Sequence, residues 1–265
     1  MNIASRFVGI LGVVTLLAAC ASNDTADEYV ERPVDELYNT AQNLLEQGEY
    51  ENAGTAFEEV ERQHPYSQWA TKAQVMAAFS FYEGQRYDQA IASAERFIDL
   101  HPGSSDVAYA HYLIAISYYD QISDVKRDQD MTRQALRSFD ELIRRFPDSD
   151  YAKDARLKRD LTTDHLAGKE MSIGRYYQDR GQFVAAINRF QNVVEDYETT
   201  THAPEALHRL VESYLALGIT AEAQKTAAVL GHNYPDNEWY ARSYALMTGS
   251  SGNLGTDQSW LDRIF

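Results

Sequence analysis

Apolar and polar positions along the chain follow one repeated template. Five times an Ala is followed by apolar residues at plus four and plus seven, and in four of the five by Pro at plus twelve. The copies are Ala53, Phe57, Val60, Pro65; then Ala90, Ala94, Phe97, Pro102; then Ala135, Phe139, Leu142, Pro147. The fourth is Ala186, Phe190, Val193, with Glu198 where Pro is expected, and the fifth is Ala223, Ala227, Leu230, Pro235. Offsets of four and seven lie on one face of a helix, and Pro shortly past the end stops it. A second pattern precedes each copy. Ala41, Ala78, Ala115, Gly174 and Val211 supply a small residue where two helices cross, and Leu44, Phe81, Tyr118, Tyr177 and Tyr214 a bulky one three later. Gly48, Gly181 and Gly218 stand five before the repeated Ala, and Tyr50, Tyr87 and Phe183 open the second helix. Small residues permit close helix approach and the aromatic fills the space beside them.

This template resembles the tetratricopeptide repeat, matched through Thr40-Ala41, Gly48, Tyr50, Ala53, Phe57 and Pro65. The resemblance implies an all-α fold, a superhelix of five helix pairs over residues 33–248, and a surface that holds other molecules. The Ala residues are spaced 37, 45, 51 and 37 apart, so two copies carry insertions. From the Pro slot to the next helix takes nine residues in most copies but 23 from Pro147 to Glu170, fourteen extra, or close to four helical turns. Asp150 to Arg180 has no Pro and only Gly168 and Gly174, which predicts one long helix ahead of the fourth copy, projecting beyond the stack. Eight extra residues fall in the third hairpin, within the charged stretch Asp120 to Asp130, a long loop of the functional or mobile kind.

Residues 1–19 read as a leader. Arg6 precedes a thirteen-residue apolar run, Phe7 to Ala19, too short for a stop-transfer helix. The run closes on Leu17-Ala18-Ala19-Cys20, which is similar to the bacterial lipobox. That similarity implies cleavage before Cys20 and acylation of Cys20; several acyl chains, at about 0.8 kcal/mol per buried methylene, make a stable anchor. Ala21 and Ser22 lack the Asp that favours inner-membrane retention, so the expected place is the periplasmic face of the outer membrane. Cys20 is the only Cys, which excludes disulfides within the chain and Cys-built metal sites. An acidic flexible tether, residues 20–32, follows. Loss of Arg6 leaves 23 basic against 40 acidic residues, a net −17, which disfavours nucleic acid and direct docking on anionic lipid. At the other end residues 249–265 read as a flexible tail. Trp260, Leu261, Ile264 and Phe265 at helical spacing leave a docking element equally open.

Chemistry finds no foothold. His64 and His101 share the slot before the repeat Pro and are structural, and His202 and His208 have no acidic third ligand at metal spacing. No Gly-rich phosphate loop, nucleophile elbow or metalloprotease pattern occurs. The expectation is therefore a non-enzyme without metal or cofactor.

The concave face is the candidate site. In tetratricopeptide stacks it is lined by first-helix slots three and six before the small residue, one after it and four after it. The amino-terminal copies place Tyr38 and Gln42, then Val75, Phe79 and Tyr82, then Tyr109, Tyr112, Ile116 and Tyr119 there. The later copies give Met171, Arg175 and Gln178, then Glu205, His208 and Glu212. An aromatic half thus meets a polar half. Packing between repeats is the alternative for these rings, above all for Phe79 and Tyr112, while Tyr hydroxyls call for water or a partner. An open aromatic groove of Tyr38, Phe79, Tyr82, Tyr109, Tyr112 and Tyr119 suits extended peptides.

Residues 17–235 together resemble the BamD family, lipoprotein subunits of the outer-membrane β-barrel assembly machine. The more specific segments are Tyr38-Asn39-Thr40-Ala41-Gln42, His64-Pro65-Tyr66-Ser67, Arg96-Phe97-Ile98 with His101-Pro102, Lys126-Arg127-Asp128, Tyr176-Tyr177, Arg180-Gly181 and Ala186-Ile187-Asn188-Arg189. Glu198 and the tail from Gly249 depart from that pattern. The resemblance implies a BamA-like barrel subunit bound through the carboxy-terminal repeats, with Arg189 at the contact. It also implies other lipoproteins of the complex as partners, and unfolded outer-membrane proteins held by the amino-terminal repeats through a carboxy-terminal aromatic signal. Arg189, one before Phe190, is rotated off the buried face, and no acid neighbours it among Gln182, Asn188 and Gln191. A periplasmic repeat adaptor of cell-wall synthesis or division is the competing reading, which a coiled-coil segment ahead of the repeats would mark.

Overall fold

The computed structural model describes residues 31–249. The leader, Cys20, most of the tether, and Trp260, Leu261, Ile264 and Phe265 of the tail lie outside the described residues. Among the described residues there are eleven α-helices and no strand. They are α1 (Val34–Glu46), α2 (Tyr50–Gln63), α3 (Gln68–Glu83), α4 (Tyr87–Leu100), α5 (Val107–Tyr119) and α6 (Asp130–Arg145). There follow α7 (Asp150–Asp179), α8 (Phe183–Asp196), α9 (Ala203–Ala216), α10 (Thr220–Asn233) and α11 (Glu238–Thr248). Each helix packs against the next in sequence, and each Ala-centred motif lies on the second helix of a pair.

The repeated residues form the core. Ala53, Phe57, Val60, Ala90, Ala94, Phe97, Ala135, Phe139, Leu142, Ala186, Phe190, Val193, Ala223, Ala227 and Leu230 are all fully buried. The approach of the helices is close enough to forbid a methyl group at some points. A Cβ on Gly54 of α2 would stand 2.6 Å from the Phe81 ring, and one on Gly174 of α7 would collide with the ring of Phe190.

Two kinds of turn join the helices. Within a pair, Gly48, Gly181 and Gly218 take left-handed backbone at φ 77°, 70° and 75°, which glycine adopts without penalty. The next residue's N–H returns to the carbonyl of the bulky slot: Glu49 to Leu44 at 2.9 Å, Gln182 to Tyr177 at 3.0 Å and Ile219 to Tyr214 at 2.9 Å. In the second pair Gln85 adopts the same backbone at φ 56°, and Arg86 bonds to Phe81 at 2.8 Å. Between pairs, the N–H four past the helix end closes the turn, from Ser67 to His64, Ser104 to His101, Ser149 to Phe146 and Asn237 to Tyr234. Thr200 bonds to Tyr197 in the same way at 3.0 Å, so the turn containing Glu198 keeps its shape without Pro. Ser67 and Ser149 also cap α3 and α7 through their hydroxyls.

The long helix is present but does not project. α7 runs 30 residues. Its first turns bury Ala152 and Ala155 against the preceding pair, and its last turns bury Met171 and Gly174 against α8. It is the capping helix of one pair and the first helix of the next, with Leu157 and Leu161 exposed midway. Nor is the loop between α5 and α6 loose. Gln129 is buried and its amide donates to the carbonyls of Asp124, Val125 and Arg127, while Lys169 of α7 donates to those of Lys126 at 2.9 Å and Arg127 at 3.1 Å. α11, which the template does not announce, packs on α9 and α10 and ends at Gly249 with φ 66°.

A Gly54→Ala substitution separates the two effects of a buried glycine. Helix propensity favours Ala by about 1 kcal/mol, whereas overpacking the Phe81 ring costs about 1–3 kcal/mol. The expected outcome in urea denaturation is a net loss of stability. Gly103→Ala, where a Cβ meets nothing within 4 Å, should shift stability by less than about 0.5 kcal/mol.

Candidate functional site

The first helices α1, α3 and α5 and the start of α7 bring the predicted aromatics together, but not as an open groove. Tyr38 is 6% exposed, its ring 4.7 Å from Trp69 and edge-on to Phe57 at 5.4 Å. Val75 and Ile116 are buried as well. Phe79, Tyr82, Tyr109, Tyr112 and Tyr119 are half-buried, packed against the core of the second and third pairs. Two of their hydroxyls are already committed. Tyr82 donates to Asp120 at 2.7 Å and Tyr112 to Asp154 at 2.6 Å. Burial, reinforced by those carboxylates, pushes both phenols well above their usual range, and burial does the same to Tyr109. Tyr109 and Tyr112 flank Tyr151 of α7 at 5.1 and 5.4 Å, and Tyr119 sits edge-on to Phe139 at 5.8 Å. The expectation of a solvent-open row of rings is thus corrected to a wall of packed rings, with the Tyr82 and Tyr112 hydroxyls tied to Asp120 and Asp154.

Beside these rings Trp69 and Lys72, against Tyr38, and Tyr151, against Tyr109 and Tyr112, are exposed to water, as is Tyr66 in the turn ahead of Trp69. The template could have found one of them, since Lys72 holds the slot six before Ala78. Tyr66 and Trp69 lie in the turn and first turn of α3, which the slot rule does not cover.

Around α7 and α9 the polar half is polar as expected, and it is neutralised from within. Arg175 makes two bonds to Glu205, at 2.9 and 2.7 Å, and Arg209 reaches Glu205 at 3.3 Å and Glu212 at 3.0 Å. The Gln178 amide donates to the Arg209 carbonyl, Glu212 and Ser213. His208 is buried rather than on display, with Nδ1 2.8 Å from the Ser243 hydroxyl and Nε2 3.3 Å from Glu212. Met171 is also fully buried. Burial by itself would raise the Glu212 carboxyl; the hydrogen bond and charge of His208, with Arg209 behind them, outweigh it and bring it down to about 2. Arg175 and Arg209 likewise hold Glu205 below its ordinary value against the effect of burial.

Arg189 on α8 is not the unopposed cation that its neighbours in sequence suggest. Glu170 of α7 pairs with it at 3.1 Å and also accepts from Asn192 at 3.2 Å. The acid comes from the partner helix, nineteen residues away, where a scan along α8 does not look. The Arg189 side chain remains 39% exposed and that of Glu170 19%, so the guanidinium is oriented yet still reachable.

The family model for outer membrane lipoproteins, YfiO, matches residues 30–230, more than half of the chain. The chain belongs to the YfiO family. Among its relatives, an outer membrane protein assembly factor BamD of Caulobacter vibrioides is 48% identical over 89% of this chain and 78% of its own length. The protein of the same name in Rickettsia prowazekii is 42% identical over 93% of this chain and 98% of its own. Among solved structures, a thermophilic TPR protein of Thermus thermophilus overlays with a TM-score of 0.37 at 19% identity, covering 80% of this chain and 98% of that one. The span shared with the YfiO family takes in the aromatic wall, the ion-paired half and Arg189, and stops before α11.

Glu212 gives this YfiO chain a specific acid sensitivity. Its depressed carboxyl contributes stability above the ordinary Glu value near 4.5, and that contribution is lost as pH falls from there towards 2. Thermal unfolding of the parent and Glu212→Gln between about pH 6 and about pH 3 should show the gap between them closing on the acid side. A gap that stays constant would place the stabilising charge elsewhere.

Proposed function

We propose that the protein is a lipid-anchored scaffold of outer-membrane β-barrel assembly. In this reading the acylated Cys20 holds it on the periplasmic face of the outer membrane. The carboxy-terminal pairs bind the periplasmic domain of a BamA-like barrel subunit, and the amino-terminal pairs receive unfolded outer-membrane proteins. It works by holding partners, including other lipoproteins of the complex. The relatives' shared name, outer membrane protein assembly factor, supports the role. The division of labour rests on the two-part concave face. The amino-terminal part offers half-buried aromatic surface to an extended apolar chain, and the carboxy-terminal part is closed by its own ion pairs. A face whose charges are mutually satisfied gives little purchase to a passing peptide, and suits one fixed protein partner whose charges are placed to match.

Arg189 is the proposed contact with the barrel subunit. Glu170 fixes the direction of its guanidinium in the free protein, so that little side-chain freedom is lost on docking. Arg189→Ala should leave helicity and thermal midpoint near the parent's, because a half-exposed ion pair contributes only about 0–1 kcal/mol. Co-purification of the barrel subunit from detergent-solubilised envelopes should fall about ten-fold or more, since truncating one member of a desolvated pair costs about 2–5 kcal/mol. Undiminished co-purification would return Arg189 to an ordinary surface residue.

The anchor has its own test. Cys20→Ser should leave the protein without acyl chains and remove it from the outer-membrane fraction. Sedimentation with outer membrane at unchanged electrophoretic mobility would reject acylation at that position.

A further inference from the structure

Behind the aromatic wall lies a second cleft, of about 510 Å³, walled by the second helices α4 and α6 and floored by α5. Its floor residues His111, Ile114 and Tyr118 stand two positions after Tyr109, Tyr112 and Ile116. That is a rotation of about 200°, which puts them on the opposite side of α5 from the wall of rings. The two sides of the cleft carry opposite charge. Glu95 and Asp99 of α4 and Arg137 of α6 are exposed and form no ion pair or hydrogen bond among the described residues. Arg145, also on α6, is shared with Glu141 at 3.2 Å. Burial and the Glu95 and Asp88 charges push the Tyr118 phenol up while Arg137 pulls it back, so acid and base act on one hydroxyl. Burial, with Arg145 near it, holds His111 below its usual range, so it adds no positive charge at neutral pH.

We propose that this cleft binds an extended segment of a partner protein in which basic and acidic residues alternate. Successive side chains of a strand point to opposite sides, so a strand laid along the floor sends basic residues to α4 and acidic ones to α6. The periods agree. Glu95 and Asp99 are about 6 Å apart along their helix, and residues two apart on a strand are separated by about 6.6 Å. Ile98 and Ile114 offer apolar surface to the stems of long charged side chains. A single zwitterionic group meets one charge on each side and leaves the second acid of α4 unmet. A membrane strand of a barrel protein does not fit either, because every second residue of it is apolar. The cleft is therefore distinct in chemistry, as in position, from the half assigned to unfolded clients.

The test uses the full chain in detergent with isotope-labelled Ile methyl groups, and two peptides blocked at both ends, Gly-Lys-Glu-Lys-Gly and Gly-Lys-Lys-Glu-Gly. They share composition and charge and differ only in order. Methyl NMR titration at low salt should shift Ile98 and Ile114 and show the alternating peptide binding about five-fold more tightly. Glu95→Lys, Asp99→Lys and Arg137→Glu together exchange the two sides and should transfer the preference to Gly-Glu-Lys-Glu-Gly. Arg137→Gln, a milder change, should bring the first two peptides to within about two-fold of each other. Circular dichroism checks that the variants are folded. Equal binding of the two peptides to the parent, or binding of neither, overturns the proposal. So does a preference that survives exchange of the sides, or one that leaves the Ile98 and Ile114 signals unmoved. Shifts of those signals with short-chain phosphatidylethanolamine and not with peptide would assign the cleft to a lipid headgroup and overturn it as well.

Discussion

The structure depends on one recurring contact, a large side chain seated where the neighbouring helix offers no more than a methyl group or a hydrogen. Phe57, Phe97, Phe139 and Phe190 are wholly buried, as are the small residues Ala41, Ala78, Ala115 and Gly174. Interiors are packed like organic crystals, so this fit fixes helix separation to within a fraction of an ångström. Helix separation then dictates the turns. Four of the five pairs reverse direction within a few residues, through left-handed backbone at Gly48, Gln85, Gly181 and Gly218, while the third uses the long loop between α5 and α6. With core and turns set, only the solvent-facing positions beside the first helices, such as Trp69, Lys72 and Tyr151, stand apart from the stack.

That separation explains what the sequence made legible. The core slots recur because the physics recurs, so the Ala-centred template located every second helix, and the absence of Pro from Asp150 to Arg180 located α7. The turn at Glu198 also shows why a departure from pattern need not be a departure from structure. Proline favours the turn, but the hydrogen bond of Thr200 to Tyr197 is what closes it. Gln85 makes the complementary point, since a residue with a side chain holds the backbone that glycine holds elsewhere, the penalty being small beside the packing it permits.

The concave face was less legible, for a reason equally physical. Slot rules say which way a side chain points, not what stands opposite it. Asp120 and Asp154, which engage Tyr82 and Tyr112, lie 38 and 42 residues away, and Glu170 lies on a different helix from Arg189. The two tyrosine pairings depend on the rotation of one pair against the next, and that of Arg189 on the packing of two helices within a pair. The loop between α5 and α6 defeated composition in the same way. Its charges suggest solvent, yet Gln129 and Lys169 satisfy its backbone carbonyls and hold it against α7. α11 lies outside the repeated pattern and had no signal to be read.

The sharing of α7 between two pairs has a mechanical consequence. Elsewhere a turn separates one pair from the next, and a turn can absorb rotation. Here a single rod of 30 residues, about 45 Å long, runs from one to the other with its hydrogen bonds unbroken. Torque applied at its amino-terminal end has no joint in which to dissipate. Over the roughly 32 Å of helix between them, a tilt of about 5° where Tyr112 grips Asp154 becomes a displacement of about 3 Å where Arg175 grips Glu205. The two halves of the face are therefore geared to each other, and whatever loads one is felt as leverage on the other.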